Sequence, residues 1–189
     1  MKKSKVMLFG AMALTAGLAL AACGSSQSSN ADKTYSYIFV SNPDTLDYIT
    51  STRDSTSSIT TNLIDGLLEN DQYGNLIPSM AESWTVSKDG LTYTYKIRQG
   101  AKWYTSEGEE YADVTAHDFV TGLKYAADKK AENLYLVQDS IKGLADYVEG
   151  KSSDFGTVGV KAVDDYTLQY TLNQPETYWN SKTTASILN

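Results

Sequence analysis

Histidine and cysteine, the side chains that most often carry catalysis or hold metals, occur once each in this sequence, as His117 and Cys23. Single copies exclude every motif that needs two histidines, two cysteines or a mixed pair at ligand spacing, which removes zinc fingers, zinc proteases and iron–sulfur sites. A Ser-His-Asp triad would have to use His117. No serine sits in a G-x-S-x-G turn, and His117 falls in the first turn of an expected helix, where it reads as a surface residue. Glu109-Glu110 and Asp164-Asp165 are neighbours in sequence rather than carboxylates facing each other across a substrate, so they read as solvated turns. Gly156 and Gly159 form no phosphate loop, and no twelve-residue calcium loop is present. The residues favour binding over catalysis, with no metal and no dissociable cofactor.

What such a protein would bind is bounded by charge. Its 189 residues carry 16 Lys and Arg against 23 Asp and Glu, a formal charge of −7. Nucleic acid needs a clustered basic surface, and no basic stripe exists beyond the first five residues, so nucleic acid is excluded as a partner. The aromatic set is unusual, with 14 Tyr and 3 Trp against 4 Phe. Tyrosine and tryptophan offer rigid apolar faces with a polar tip, which suits varied ligands, peptide or sugar. Tyr93, Tyr95 and Tyr170 alternate along expected strands, however, and so read first as sheet residues.

Cys23 has chemistry of its own. Lys2, Lys3 and Lys5 precede an uncharged run from Val6 to Ala22 that is interrupted by Gly10 and Gly17, which is a signal-peptide layout rather than a bilayer span of about 20 residues. The run ends Leu20-Ala21-Ala22-Cys23, which resembles the lipobox of bacterial lipoproteins. Cleavage before Cys23 would free its amino group, and diacylglycerol would be attached to its sulfur. Gly24-Ser25-Ser26-Gln27-Ser28-Ser29-Asn30 then reads as a flexible tether. The expected organisation is a leader over 1–22, a lipidated cysteine and tether over 23–33, and a folded domain over 34–189. Loss of the three leader lysines takes the formal −7 to about −10.

The elements that would position a site follow from periodicity. Tyr35–Val40 reads as a strand, and Ser41-Asn42-Pro43-Asp44 as a turn. Ile59, Leu63, Ile64, Leu67 and Leu68 predict a helix, capped by Asp54, Ser55 or Thr56 and stopped at Asn70–Gly74. Trp84 and Val86, a turn at Ser87-Lys88-Asp89-Gly90, and the alternation Leu91, Tyr93, Tyr95, Ile97 predict a hairpin. Gly100–Tyr104 extends or follows its second strand, and 105–113 reads as a loop. Thr115 with Asp118 predicts a helix start, with Phe119, Leu123 and Ala126 or Ala127 as its buried face. Ile141, Leu144, Ala145 and Val148 predict another helix ending at Gly150. Val158–Val163 and Thr167–Leu172 predict a second hairpin, with Leu168, Tyr170 and Leu172 on one face. After Pro175 no element is expected.

Several of these stretches together carry a resemblance. Leu76-Ile77-Pro78-Ser79-Met80-Ala81-Glu82-Ser83-Trp84, Asp89-Gly90-Leu91-Thr92-Tyr93-Thr94-Tyr95-Lys96-Ile97-Arg98, Gly100-Ala101-Lys102-Trp103 and Val114-Thr115-Ala116-His117-Asp118-Phe119 resemble the signature of the oligopeptide-binding lipoproteins of ABC importers, family 5 of the extracellular solute-binding proteins. Thr45-Leu46-Asp47, Asp65–Glu69 and Gly159–Leu168 extend the likeness. It implies a mixed α/β, periplasmic-binding-protein-like fold, specifically the start of the large lobe and a small hairpin-bearing subdomain of a two-lobed, hinge-closing receptor. It implies capture of extended oligopeptides for a permease and ATPase, at the extracytoplasmic face of the cell membrane and without enzymatic activity. Dipeptides, nickel and haem are ligands of other members. A sugar-binding or adhesin lipoprotein is the alternative from another class. The resemblance places ligand contacts at Ser41, Asn42, Pro43 and Asp44, although the acidic residue common in that turn is not matched by Asn42-Pro43-Asp44. Trp84, Asp89, Gly90 and Trp103 are taken as fold residues. Members run to several hundred residues, which implies that the second lobe lies beyond Asn189 and that this chain alone binds peptide weakly or not at all.

Mass spectrometry of the native amino terminus tests the lipobox. The expected product begins at lipid-bearing Cys23; a retained leader or a free Cys23 thiol contradicts it.

Overall fold

When the alternating run 91–97 is pleated, its tyrosines face one way and its threonines and lysine the other. The computed structural model describes residues 38–39 and 41–189 and places this run at the centre of a four-stranded antiparallel sheet. The strands are β3 (Ala81–Val86), β4 (Thr92–Ile97), β7 (Val160–Asp164) and β8 (Thr167–Thr171), in the order β3-β4-β8-β7. Register sets Tyr93 opposite Tyr170, and Tyr95 opposite Leu168. One face is therefore apolar and buried, while Thr92, Thr94 and Lys96 share the other face with Thr171, Gln169 and Thr167. Both expected hairpins form. Gly90 takes φ +72° in the first turn, a conformation glycine adopts without a Cβ clash, and Asp89 accepts from the Leu91 N–H at 3.1 Å.

Two short hairpins flank the sheet: β1 (Leu68–Asn70) with β2 (Leu76–Pro78), and β5 (Lys102–Tyr104) with β6 (Glu110–Asp113). The second corrects the sequence reading. Residues 110–113 are strand rather than loop, because Trp103 and Ala112 pair across the turn.

The helix starting at Thr115 forms as expected and spans Ala116–Lys129; it is labelled α2 here. The Thr115 N–H donates to Asp118 Oδ2 at 2.7 Å, and the Ala116 N–H donates to the Asp165 carbonyl at 2.8 Å, so the helix start is tied to the β7–β8 turn. Ala116, Phe119, Leu123, Ala126 and Ala127 are its buried stripe.

Three expectations are overturned. The helix read across 59–68 is confined to α1 (Asp54–Thr60), with Arg53 rather than Asp54, Ser55 or Thr56 at its cap position. Its hydroxyls turn back on their own backbone, as in Ser58 to the Asp54 carbonyl at 2.7 Å, a habit that weakens helices. Farther on, the Gly66 and Leu67 carbonyls accept from Met80 and Ala81, which draws Leu67 and Leu68 into the sheet region. The next helix, α3, is only Leu144–Val148, because Ile141 bridges to Leu172 instead. Gly143 breaks the run at φ +72°, where a Cβ would stand 2.9 Å from the Thr157 carbonyl oxygen. Finally, the chain after Pro175 is structured: α4 (Trp179–Lys182) and a helical turn at Ser186–Leu188 bury Trp179, Ile187 and Leu188.

Trp179 closes the apolar face of the sheet. Its ring lies 5.4 Å from that of Tyr170 and 6.1 Å from that of Tyr93. Tyr93 donates to the Glu176 carbonyl at 2.8 Å, and Tyr95 donates to Asn180 Oδ1 at 2.7 Å. Lys182 pairs with the buried Glu176 at 2.9 Å and donates to Ser140 at 2.6 Å. Burial pushes the Tyr95 and Tyr170 phenols well above their ordinary range, so both stay protonated and neutral.

The leader, Cys23 and the tether lie outside the described residues. So does the strand read over 35–40 apart from Ile38 and Phe39, neither of which is in a strand.

The buried tyrosines give a paired test. The Tyr170 hydroxyl has no hydrogen-bond partner among the described residues, so Tyr170→Phe is expected to be neutral or slightly stabilising. Tyr95→Phe strips Asn180 of its donor and is expected to cost about 1 kcal/mol. Urea midpoints of the two variants separate them.

Candidate functional site

Ser41, Asn42 and Asp44 are exposed and Pro43 is half-buried. They open a loop whose ends are joined by an ion pair, Arg53 Nε to Asp44 Oδ2 at 2.9 Å. Short polar side chains of this loop close on nearby groups. Asp47 accepts from the Thr50 hydroxyl at 2.7 Å and from the Thr50 N–H at 3.2 Å. The Thr56 hydroxyl donates to the Thr45 carbonyl at 2.8 Å. Two longer-range bonds fasten the loop to the body: Tyr125 of α2 donates to Asp47 Oδ2 at 2.9 Å, and Thr52 donates to Glu132 Oε2 at 2.8 Å.

Asp47 is the hinge of this arrangement electrostatically. Burial works to raise its pKa, but the hydrogen bonds from Thr50 and Tyr125 outweigh it and hold the carboxyl below the usual range. The reciprocal effects appear on its neighbours. Tyr125 is pushed up by its bond to Asp47, and Tyr48 by burial and then by the charges of Asp47 and Asp118.

Two concavities flank the loop. One, of about 400 Å³, lies against α2 and β5, with walls from Tyr48, Ile49, Leu63, Ile64, Met80, Trp103, Phe119 and Tyr125. Asp65, Lys102, Asp118, Thr121 and Asn189 add its polar groups. Gly122 on α2 lets the backbone at Asn189 lie close, since a Cβ there would stand 3.2 Å from the Asn189 carbonyl oxygen; Ile49 Cδ1, at 3.6 Å, would be in ordinary contact. The other, of about 430 Å³, is polar and lined by Thr45, Thr50, Ser51, Thr52, Arg53 and Glu132.

The four residues placed at the site by resemblance line neither concavity; only Asp44 is joined to one, through Arg53. Sequence reasoning missed Asp47, Tyr48 and Tyr125, and it assigned Trp103 to the fold alone. One signal was available: Asp118, Thr121, Gly122 and Tyr125 recur at helical spacing and form a second stripe on α2 beside the buried one. His117 is a surface residue, 62% exposed, with Nε2 3.3 Å from Asp165 Oδ1. Among the described residues, no three His, Cys, Asp or Glu are grouped to hold a metal, and no helix is long and apolar enough to cross a membrane.

Residues 75–189 match the family described as bacterial extracellular solute-binding proteins, family 5 Middle. The chain is 66% identical over 186 residues to the oligopeptide-binding protein AliB of Streptococcus pneumoniae, an alignment covering 98% of this chain and 28% of that protein. To the oligopeptide-binding protein SarA of Streptococcus gordonii it is 63% identical over 195 residues, covering 100% of this chain and 29% of the relative. Among solved structures, Listeria monocytogenes OppA bound to peptide is similar at TM-score 0.68 and 34% identity, over 76% of this chain and 27% of that one. The chain thus spans less than a third of the length of the curated relatives it matches.

The Asp47–Tyr125 bond has a pH signature. A depressed carboxyl pKa contributes stability that is present above the ordinary value near ~3.9 and is lost as pH falls through the lower folded value. In a carboxyl-detected NMR titration, Asp47 is expected to titrate below that ordinary value. Tyr125→Phe is expected to move it upward and to start acid unfolding at higher pH; an unchanged Asp47 in that variant contradicts the assignment.

Proposed function

The chain belongs to the bacterial extracellular solute-binding proteins of family 5, and from that premise we propose that it serves to capture extended oligopeptides for an ABC importer. The observation that carries this reading is the pair of concavities that both take the 45–53 loop as a wall. An extended peptide presents two kinds of surface, a main chain that needs hydrogen bonds whatever its sequence and side chains that need room. The polar concavity offers hydroxyls, Arg53 and Glu132 for the first. The aromatic-walled cavity offers space for the second. Such a surface holds its ligand without changing it, in keeping with a family of solute-binding proteins.

The peptide-bound Listeria structure supports the same ligand class, as do the names of the streptococcal relatives. Delivery requires a permease, energised by an ATPase, and a receptor held near it. Lipid on Cys23 would provide that tethering on the extracytoplasmic face, since two or more acyl chains anchor stably where a single chain holds marginally. The polar run after Cys23 would let the domain stand off the membrane. The turn at Ser41, Asn42, Pro43 and Asp44 would act at the edge of the polar concavity, with Asp44 steering Arg53.

Calorimetric titration of the full-length protein as its host makes it, purified from the host membrane, against a mixed short-peptide library and an oligosaccharide library in parallel, tests the ligand class. Saturable heat with peptides alone is expected. Retention of glycans without peptide would overturn the reading in favour of a sugar-binding lipoprotein.

A further inference from the structure

Resting on that reading, we propose that the aromatic-walled cavity beside α2 is a side-chain pocket for a basic residue of the bound peptide, arginine or lysine. Its walls at Ile49, Leu63, Ile64 and Phe119 are hydrocarbon and match the methylene stem of a long cationic side chain, which prefers apolar contact along its length and a polar end. Trp103 adds an aromatic face of the kind on which a guanidinium or ammonium settles. At about 400 Å³ the space is large enough for either side chain.

Charge decides between occupants. The lining side chains that carry charge are Asp65, Asp118 and Lys102, and Asn189 adds an uncharged amide. Lys102 is already committed, its Nζ 2.5 Å from Asp113 Oδ1, and Asp113 is not part of the lining. Asp118 accepts from the Thr115 N–H and hydroxyl through Oδ2, at 2.7 and 3.2 Å, and meets no cation among the described residues. Asp65 is exposed and enters no ion pair among them. Two carboxylates therefore border an apolar space whose one cation is spent elsewhere. A glutamate or aspartate side chain would face both. A leucine or phenylalanine would fit the walls but desolvate the carboxylates with nothing in return. A basic side chain satisfies walls and charge together.

The test uses the protein purified from its host and one peptide scaffold carrying Arg, Lys, Leu or Glu at a single position moved along its length, read by fluorescence polarisation. Two variants run alongside: Asp65→Asn removes charge, and Thr121→Trp projects an indole into the cavity from an exposed position on α2. The Arg and Lys peptides are expected to bind about tenfold more tightly than the Glu peptide and ahead of Leu. That preference should shrink in Asp65→Asn and as salt rises, and vanish in Thr121→Trp. A Leu preference, or a basic preference that neither variant alters, overturns the pocket while leaving peptide capture intact. Failure to bind any peptide overturns both.

Discussion

The closure of one sheet face by Trp179 is the contact on which the rest of the architecture depends. A sheet whose inner face carries Tyr93, Tyr95, Leu168 and Tyr170 cannot leave that face in water, and the fully buried indole, packed at a tilt against two of those rings, covers it. The tyrosine hydroxyls then set where the covering chain runs, through the Glu176 carbonyl and Asn180 Oδ1. From there the chain reaches the helical turn at Ser186–Leu188, which lies against α2. With α2 fixed by that turn and by the β7–β8 turn beneath its start, the stripe of Asp118, Thr121 and Tyr125 faces the 45–53 loop. The candidate site is thus downstream of the packing that closes the sheet, and Asn189, at the end of that covering chain, lines the cavity beside Gly122.

The loop itself is held differently. No residue of 41–53 is fully buried; Ile49 packs against the core, and the rest of the loop's shape comes from hydrogen bonds and one exposed ion pair. Such contacts contribute modestly and are lost singly at little cost. A segment of this kind adjusts to a ligand more readily than the sheet does. That division suits a receptor for peptides of varied sequence, with a rigid aromatic body and a polar, adaptable margin.

The elements legible in the sequence were those governed by strict periodicity. Tyr93, Tyr95 and Ile97 alternate so regularly that strand, face and burial follow together. The α2 start was equally clear, because Thr115 and Asp118 satisfy orphan backbone groups in a way few other arrangements do. What escaped was set by single long-range contacts. Leu67 and Leu68 continue a helical spacing, yet backbone bonds to Met80 and Ala81 claim the carbonyls just before and at Leu67. Trp179 has no periodic partners, and the rings it packs against, Tyr93 and Tyr170, are 86 and 9 positions away in sequence. The site shows the same limit. Resemblance led to Ser41–Asp44, at the margin of the loop, while Asp47 and Tyr125 meet through one hydrogen bond between residues distant in the chain that no local pattern announces.

The central claim is that ligand peptide lies along the 45–53 loop and the exposed stripe of α2. Hydrogen–deuterium exchange, measured with and without a peptide that binds, tests it most directly. Slowed exchange confined to amides of 45–53 and the 121–125 turn of α2, with β3 and β7 unchanged, is the predicted result. Saturating peptide that leaves those amides unprotected while slowing exchange elsewhere would contradict the account.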